Sequence, residues 1–158
     1  MADYTATIQW HRTGSSNFCD NRYSRSHTWS FDGGVEVPAS SSPHVVPVPM
    51  SELNAVDPEE AFIASLSSCH MLWFLSIAAR HGFVVDSYED SVMGVMGKDS
   101  AGKVSITTVT LSPRTVFSSD KQPTATELEE MHHLAHNSCF IANSVKSEVH
   151  CKPVITKS

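Results

Sequence analysis

Apolar and polar positions along this chain change period several times, and each change predicts an element. From Tyr4 to Trp10, "YTATIQW", the pattern is that of a strand. "HTWSF" and "VEVP" flank Asp32, Gly33 and Gly34, a turn sequence, so the opening third predicts a β meander. Residues 38–57, "PASSSPHVVPVPMSELNAVD", carry four prolines and several serines, which predicts an irregular connection over the surface.

The next segment is bounded by strong helix signals. Asp57 is a good N-cap, Pro58 suits the first helical position, and Glu59 and Glu60 complement the positive end of the helix dipole. At the other end Arg80 and His81 suit the last turn, and Gly82 suits a left-handed cap. These limits enclose roughly 35 Å of helix at about 1.5 Å per residue. Ala61 to Ala79 contains no charged residue and is long enough to cross a membrane. Four serines and a histidine interrupt it, acids precede it and strands flank it, so the expectation is a buried helix with sheet on one side and another helix or subunit on the other.

"FVVDSYEDSVMGVMG" and "KVSITTVTLSPRTVF" are rich in β-branched residues and predict two long strands joined as a hairpin at "KDSAGK". "TELEEMHHLAHNSC" predicts a second helix, with Thr126 and Glu129 spaced as a capping box and Leu128, Met131, Ala135 and Cys139 on its inward face. A last strand is expected near Ser147 to Ile155. The fold class is therefore α+β, a meander and hairpin sheet packed on a long central helix, in one domain over residues 1–158.

Composition narrows the function. A formal charge of -6 without a Lys/Arg cluster offers no footprint for nucleic acid or an anionic membrane. "MADYTATIQWHRTG" does not resemble a signal peptide, so a cytoplasmic location is expected. The four cysteines, Cys19, Cys69, Cys139 and Cys151, are scattered, which in a reducing compartment points to thiol chemistry, metal binding or plain burial.

Cys69 lies near the middle of the apolar helix, where Ser65, Ser67, Ser68 and His70 crowd the same two turns. That polar decoration is costly for a helix that does nothing but pack. Cys139 falls on the inward face of the second helix. His132, His136 and Cys139 follow one another at spacings of four and three and can approach a common side of that helix, a possible metal-binding set. Cys151 reads as strand packing and Cys19 as a loop thiol.

"DPEEAFIASLSSCHMLWFL" resembles the segment of the OsmC/Ohr family in which a Pro-Glu helix start leads, ten residues after its Glu, to a peroxide-reactive cysteine; Glu59 and Cys69 fit that spacing. "AHNSCFIANSV" is similar to the family's second cysteine motif. The resemblance implies an organic hydroperoxide reductase in which Cys69 attacks the peroxide and Cys139 resolves the sulfenic acid, with no metal or other cofactor. It implies an organic hydroperoxide as substrate and a dithiol, such as a lipoyl-type thiol, as reductant. It also implies an arginine beside the thiolate, supported by Glu59; Arg25, just before a predicted strand, is favoured over Arg22. Glu59 and Cys69 are separated by about 15 Å of helical rise, so the resemblance implies an intertwined homodimer in which the partner's antiparallel helix supplies the carboxylate. The alternative is a non-catalytic metal- or small-ligand-binding member using Cys139, His132 and His136.

Overall fold

The structure, a computed structural model, describes residues 1–15, 17–118 and 120–154. Its chain divides into two units, Met1–Ala61 and Phe62–Ser158.

The first unit is the expected meander. Strands β1 (Ala6–Gln9), β2 (His27–Phe31) and β3 (Glu36–Ala39) pair antiparallel in the order β1-β2-β3. Register sets Ile8 opposite Trp29 and Trp29 opposite Val37. The β2–β3 turn closes with Phe31 N–H donating to Val35 O at 3.0 Å. β1 is shorter than the alternation suggested, because β2 begins only at His27 and its pairing reaches no further than Gln9. The proline- and serine-rich connection is irregular but tied down. Ser40 and Val56 exchange backbone hydrogen bonds with Val56 and Pro38, and the buried Ser40 hydroxyl accepts Glu52 N–H at 3.0 Å.

Helix α1 (Pro58–Arg80) starts where its signals lie. Asp57 Oδ1 accepts Glu60 N–H at 2.8 Å, and Glu60 Oε2 accepts Asp57 N–H at 3.3 Å, a reciprocal cap that satisfies two donors a helix otherwise leaves open. At the other end Gly82 takes φ +75°, a left-handed conformation that a side chain disfavours. The buried residues Leu66, His70, Phe74, Ile77 and Ala78 form one stripe at spacings of four and three. A window of α1 has the length and mean hydropathy, 1.6, to cross a membrane, yet only 28% of that window is buried. The helix is less enclosed in the single chain than its composition implied: Leu72 is 61% exposed.

In the second unit the two long strands expected as one hairpin are each broken. β4 (Val85–Asp90) pairs with β7 (Pro113–Phe117), and β5 (Met93–Lys98) with β6 (Val104–Leu111), all antiparallel. The breaks fall at Ser91-Val92 and at Ser112, whose N–H donates to Asp90 Oδ1 instead of continuing a ladder. Gly94 lets β5 approach α1, since a Cβ there would meet Ile63 Cγ2 at 2.8 Å.

Helix α2 (Ala125–Ser138) is capped by Thr124 and Glu127, not by Thr126 and Glu129. The T-x-x-E spacing occurs twice, and the first is the one that forms: Thr124 Oγ1 accepts Glu127 N–H at 3.2 Å and Glu127 Oε2 accepts Thr124 N–H at 2.8 Å. β8 (Glu148–Cys151) runs parallel to β6 with Val149 opposite Val109; Ile155, the expected end of this strand, lies outside the described residues. One core cluster gathers Phe74, Ile77, Phe83, Met131 and Ala135, and a second gathers Leu66, Val109 and Leu111. Full burial of a side chain such as Phe74 contributes about 1.5–3 kcal/mol. His70 sits on the α1 stripe between Leu66 of one cluster and Phe74 of the other.

Candidate functional site

Three groups of chemically competent side chains emerge, one in the first unit and two in the second.

The meander unit holds Arg25 and Glu59 on a common cleft of about 450 Å³, with Trp10, Phe18, Tyr23 and His27 among its walls. Phe18 and Tyr23 stack at 4.4 Å between ring centroids, and Trp10 meets Tyr23 edge-on at 5.5 Å. Arg25 is fixed from several sides: its guanidinium donates to Asn21 O at 2.9 Å, to Asn21 Oδ1 at 2.8 Å and to Tyr23 O. It also lies 3.8 Å from the centroid of the Tyr23 ring, a cation–π stack. Arg22 does not line this cleft. Arg25 and Glu59 line one cleft and form no ion pair among the described residues.

In the second unit α1 presents Cys69, half-buried, to a cleft of about 570 Å³ walled by Leu72, Trp73, Phe140 and Ile141 with Ser65 and Ser68. Trp73 and Phe140 meet edge-on at 5.5 Å. Cys139 caps the C-terminus of α2 in an extended conformation, which turns its side chain out of the helical row. It is buried, it lies beside the Cys69 side chain, and its sulfur accepts Ala142 N–H at 3.3 Å. Burial, and then the Cys69 contact, push the Cys139 thiol up to about 11. One thiol is thus open to the cleft, and the other sits protonated behind it. Both cysteines are free.

The serines around Cys69 are largely accounted for. Ser65 donates to Phe62 O at 2.7 Å, and Ser67 donates to the Asp90 carboxylate.

His70 belongs to the third group. Its Nε2 lies 3.0 Å from Nδ1 of His132 on α2 and 3.7 Å from Sγ of Cys151 on β8. One ligating atom from each of the three residues falls within 4.8 Å of the others. The two imidazole planes are within 10° of each other with centroids 5.3 Å apart, and Phe74 stacks on His132 at 4.2 Å. Burial holds His70 at about 4 and His132 at about 3, each helped by a neighbouring histidine, so both are neutral at pH 7. Burial, and then the Asp90 carboxylate, push Cys151 up to about 12. Among the described residues this is the one group of three ligating side chains so closely placed. The expected metal set of Cys139, His132 and His136 is thereby corrected: His132 pairs with His70 and Cys151, while Cys139 turns to Cys69. Cys151, read from sequence as strand packing, is part of this group. Only the buried polar pattern of α1 hinted at it.

Comparison with known proteins follows this geometry. The OsmC-like protein family matches residues 51–153. A solved OsmC-like protein of unknown function from Vibrio cholerae is 56% identical over 98% of this chain and 100% of its own, with a TM-score of 0.96. An organic hydroperoxide resistance protein from Elizabethkingia anophelis shares the fold at 16% identity over 99% of each chain (TM-score 0.66). One from Bacillus subtilis does so at 20% identity over 97% of this chain and 98% of its own (TM-score 0.62). The search of curated proteins gives no match. The chain belongs to the OsmC-like protein family.

Proposed function

We propose that this chain is a cytoplasmic, thiol-dependent peroxidase that reduces organic hydroperoxides to alcohols. One observation carries the reading: the half-buried Cys69 thiol, in an apolar-walled cleft, lies beside the buried Cys139 thiol, close enough to raise its pKa. Two proteins of the same fold bear the name organic hydroperoxide resistance protein, which supports the substrate class.

In this reading the Cys69 thiolate attacks the distal peroxide oxygen. An S–O bond forms, the O–O bond breaks, and the alkoxide leaves as alcohol after taking a proton from solvent. The Cys69 sulfenic acid then condenses with Cys139: an S–S bond forms and water departs. An external dithiol, such as a lipoyl-type thiol, takes up the oxidation and returns both thiols. Arg25, held in place on the Tyr23 ring, is the cation assigned to the thiolate, and Glu59 is its support. Residues 1–158 act as one domain in a homodimer in which each thiol pair is served by Glu59 of the partner subunit. The exposed apolar side of α1, with Leu72 at its middle, supports a helix-to-helix interface. Turnover of tert-butyl hydroperoxide with a dithiol tests the reading. Wild-type protein turns over, Cys69→Ser does not, and equal rates in the two would discard it.

A second reading, a metal- or small-ligand-binding member of the family, has the more direct geometric support. The ligating atoms of His70, His132 and Cys151 already lie within 4.8 Å of one another.

A further inference from the structure

We propose that His70 Nε2, His132 Nδ1 and Cys151 Sγ form the three-ligand binding site of a borderline-soft divalent transition metal, zinc before others, separate from the Cys69–Cys139 pair. The inference rests on the ligand-binding reading and leaves peroxide chemistry at Cys69 as an independent question.

The distances fit. A tetrahedral zinc ion with Zn–N of about 2.0–2.1 Å and Zn–S of about 2.3 Å sets its ligands about 3.3 Å apart for N···N and about 3.6 Å for N···S. Here His70 Nε2 is 3.0 Å from His132 Nδ1 and 3.7 Å from Cys151 Sγ, and the ligating atoms of His132 and Cys151 lie within 4.8 Å of each other. The shorter N···N distance is that of a hydrogen bond, and replacing its proton by an ion opens it by a few tenths of an ångström. Two imidazoles and a thiolate are the donors that zinc-like ions prefer over magnesium or calcium.

The protonation states fit as well. Both histidines are neutral; as an ion takes the inner nitrogens, the proton of their mutual hydrogen bond moves to the outer nitrogen of the same ring, and the Cys151 thiol loses one proton to solvent as the metal–sulfur bond forms. The two positive charges of the ion then meet the Cys151 thiolate and the Asp90 carboxylate. Asp90 acts electrostatically on both His70 and Cys151, and among the described residues it has no ion pair of its own. The local charge closes at zero.

The cluster is buried: His70 is 1% and His132 3% exposed. Its outer nitrogens, His70 Nδ1 and His132 Nε2, have no hydrogen-bond partner among the described residues. A buried unpaired polar atom costs about 1–3 kcal/mol, so a histidine pair kept only for packing is a poor substitute for two apolar side chains. A route in exists, because His132 and Cys151 also line an open cleft of about 480 Å³ whose wall includes His133, His136 and His150.

The test uses the full chain, freed of metal, with Zn2+ in equilibrium dialysis and Co2+ as a spectroscopic probe. One Zn2+ per chain is expected, with one proton released per ion. Co2+ should give a thiolate-to-metal charge-transfer band that Zn2+ abolishes. Cys151→Ser should remove the band, His132→Gln should weaken Zn2+ at least a hundredfold, and Cys139→Ser should keep both. Should Cys151→Ser fail to fold, the band in Cys139→Ser and its loss in His132→Gln decide the matter. No binding at micromolar Zn2+ overturns both this site and the metal-binding form of the second reading. Binding that survives His132→Gln, or is lost in Cys139→Ser with the fold intact, overturns this site alone.

Discussion

His70 and His132, 62 residues apart in sequence, share a 3.0 Å nitrogen-to-nitrogen contact in the core, and neither carries a charge at neutral pH. In the unfolded chain each takes up a proton near 6.5, whereas in the folded protein the values fall to about 4 and about 3. The unfolded state therefore binds more protons below pH 6.5, and stability, complete above that pH, is lost as the pH falls toward 4 and 3. Each group weakens the fold by about 1.4 kcal/mol per pH unit within its window. Urea unfolding of metal-free protein at a series of pH values should show this slope, with a smaller one in His132→Asn. A flat profile from pH 6.5 to 4.5 would contradict it.

The unequal burial of Cys69 and Cys139 predicts unequal fates under peroxide. Mass spectrometry of oxidised wild-type protein should find a Cys69–Cys139 disulfide. In Cys139→Ser, Cys69 should proceed to sulfinic acid, since nothing intercepts the sulfenic state. A disulfide from Cys69 to Cys19 or Cys151 in wild-type protein would reassign the resolving thiol.

Substrate preference follows from the walls of the Cys69 cleft, where Leu72, Trp73, Phe140 and Ile141 gather. Each CH2 buried there contributes about 0.8 kcal/mol, so two of them favour an alkyl hydroperoxide over hydrogen peroxide by roughly tenfold or more in kcat/KM. Equal kcat/KM for tert-butyl hydroperoxide and hydrogen peroxide would mean that the cleft does not hold the alkyl group.

Subunit mixing tests the division of labour between Glu59 and Cys69. If each thiol is served by the partner's carboxylate, Cys69→Ser and Glu59→Ala subunits are each weak alone. Their heterodimer concentrates both lesions in one site and leaves the other intact, recovering about half the wild-type activity. No recovery after verified exchange, or a monomer in sedimentation at micromolar concentration, argues for sites built within one chain.

The Asp57 cap makes a simpler prediction about stability. Asp57→Ala leaves Glu60 N–H without its 2.8 Å partner at a buried helix start and should cost about 1 kcal/mol. The urea midpoint should fall with the slope unchanged.

Much of this architecture is legible in local sequence. Asp57-Pro58-Glu59-Glu60 and Arg80-His81-Gly82 mark the ends of α1 because caps depend on a few adjacent residues. The Cys69–Cys139 encounter is legible only through family resemblance, and Arg25 with Glu59 likewise. The His70–His132–Cys151 cluster is not legible by either route. Its members come from α1, α2 and β8, and Cys151 is delivered by the parallel register of β8 on β6, a pairing that leaves no local spacing. The capping box of α2 shows the opposite difficulty, two equally good local signals two residues apart, of which the first forms.

That parallel register also shapes how the chain reaches its native state. β6, "VSITTVTL", has no charge and six β-branched residues, and it lies between β5 and β8. Its partner β5 is made just before it, but β8 emerges only after α2 is complete. Until then one side of β6 is an open row of amide and carbonyl groups on a sequence suited to pairing with copies of itself. The final strand is thus also a guard, and a chain that stops before Glu148 would leave that edge permanently available for aggregation.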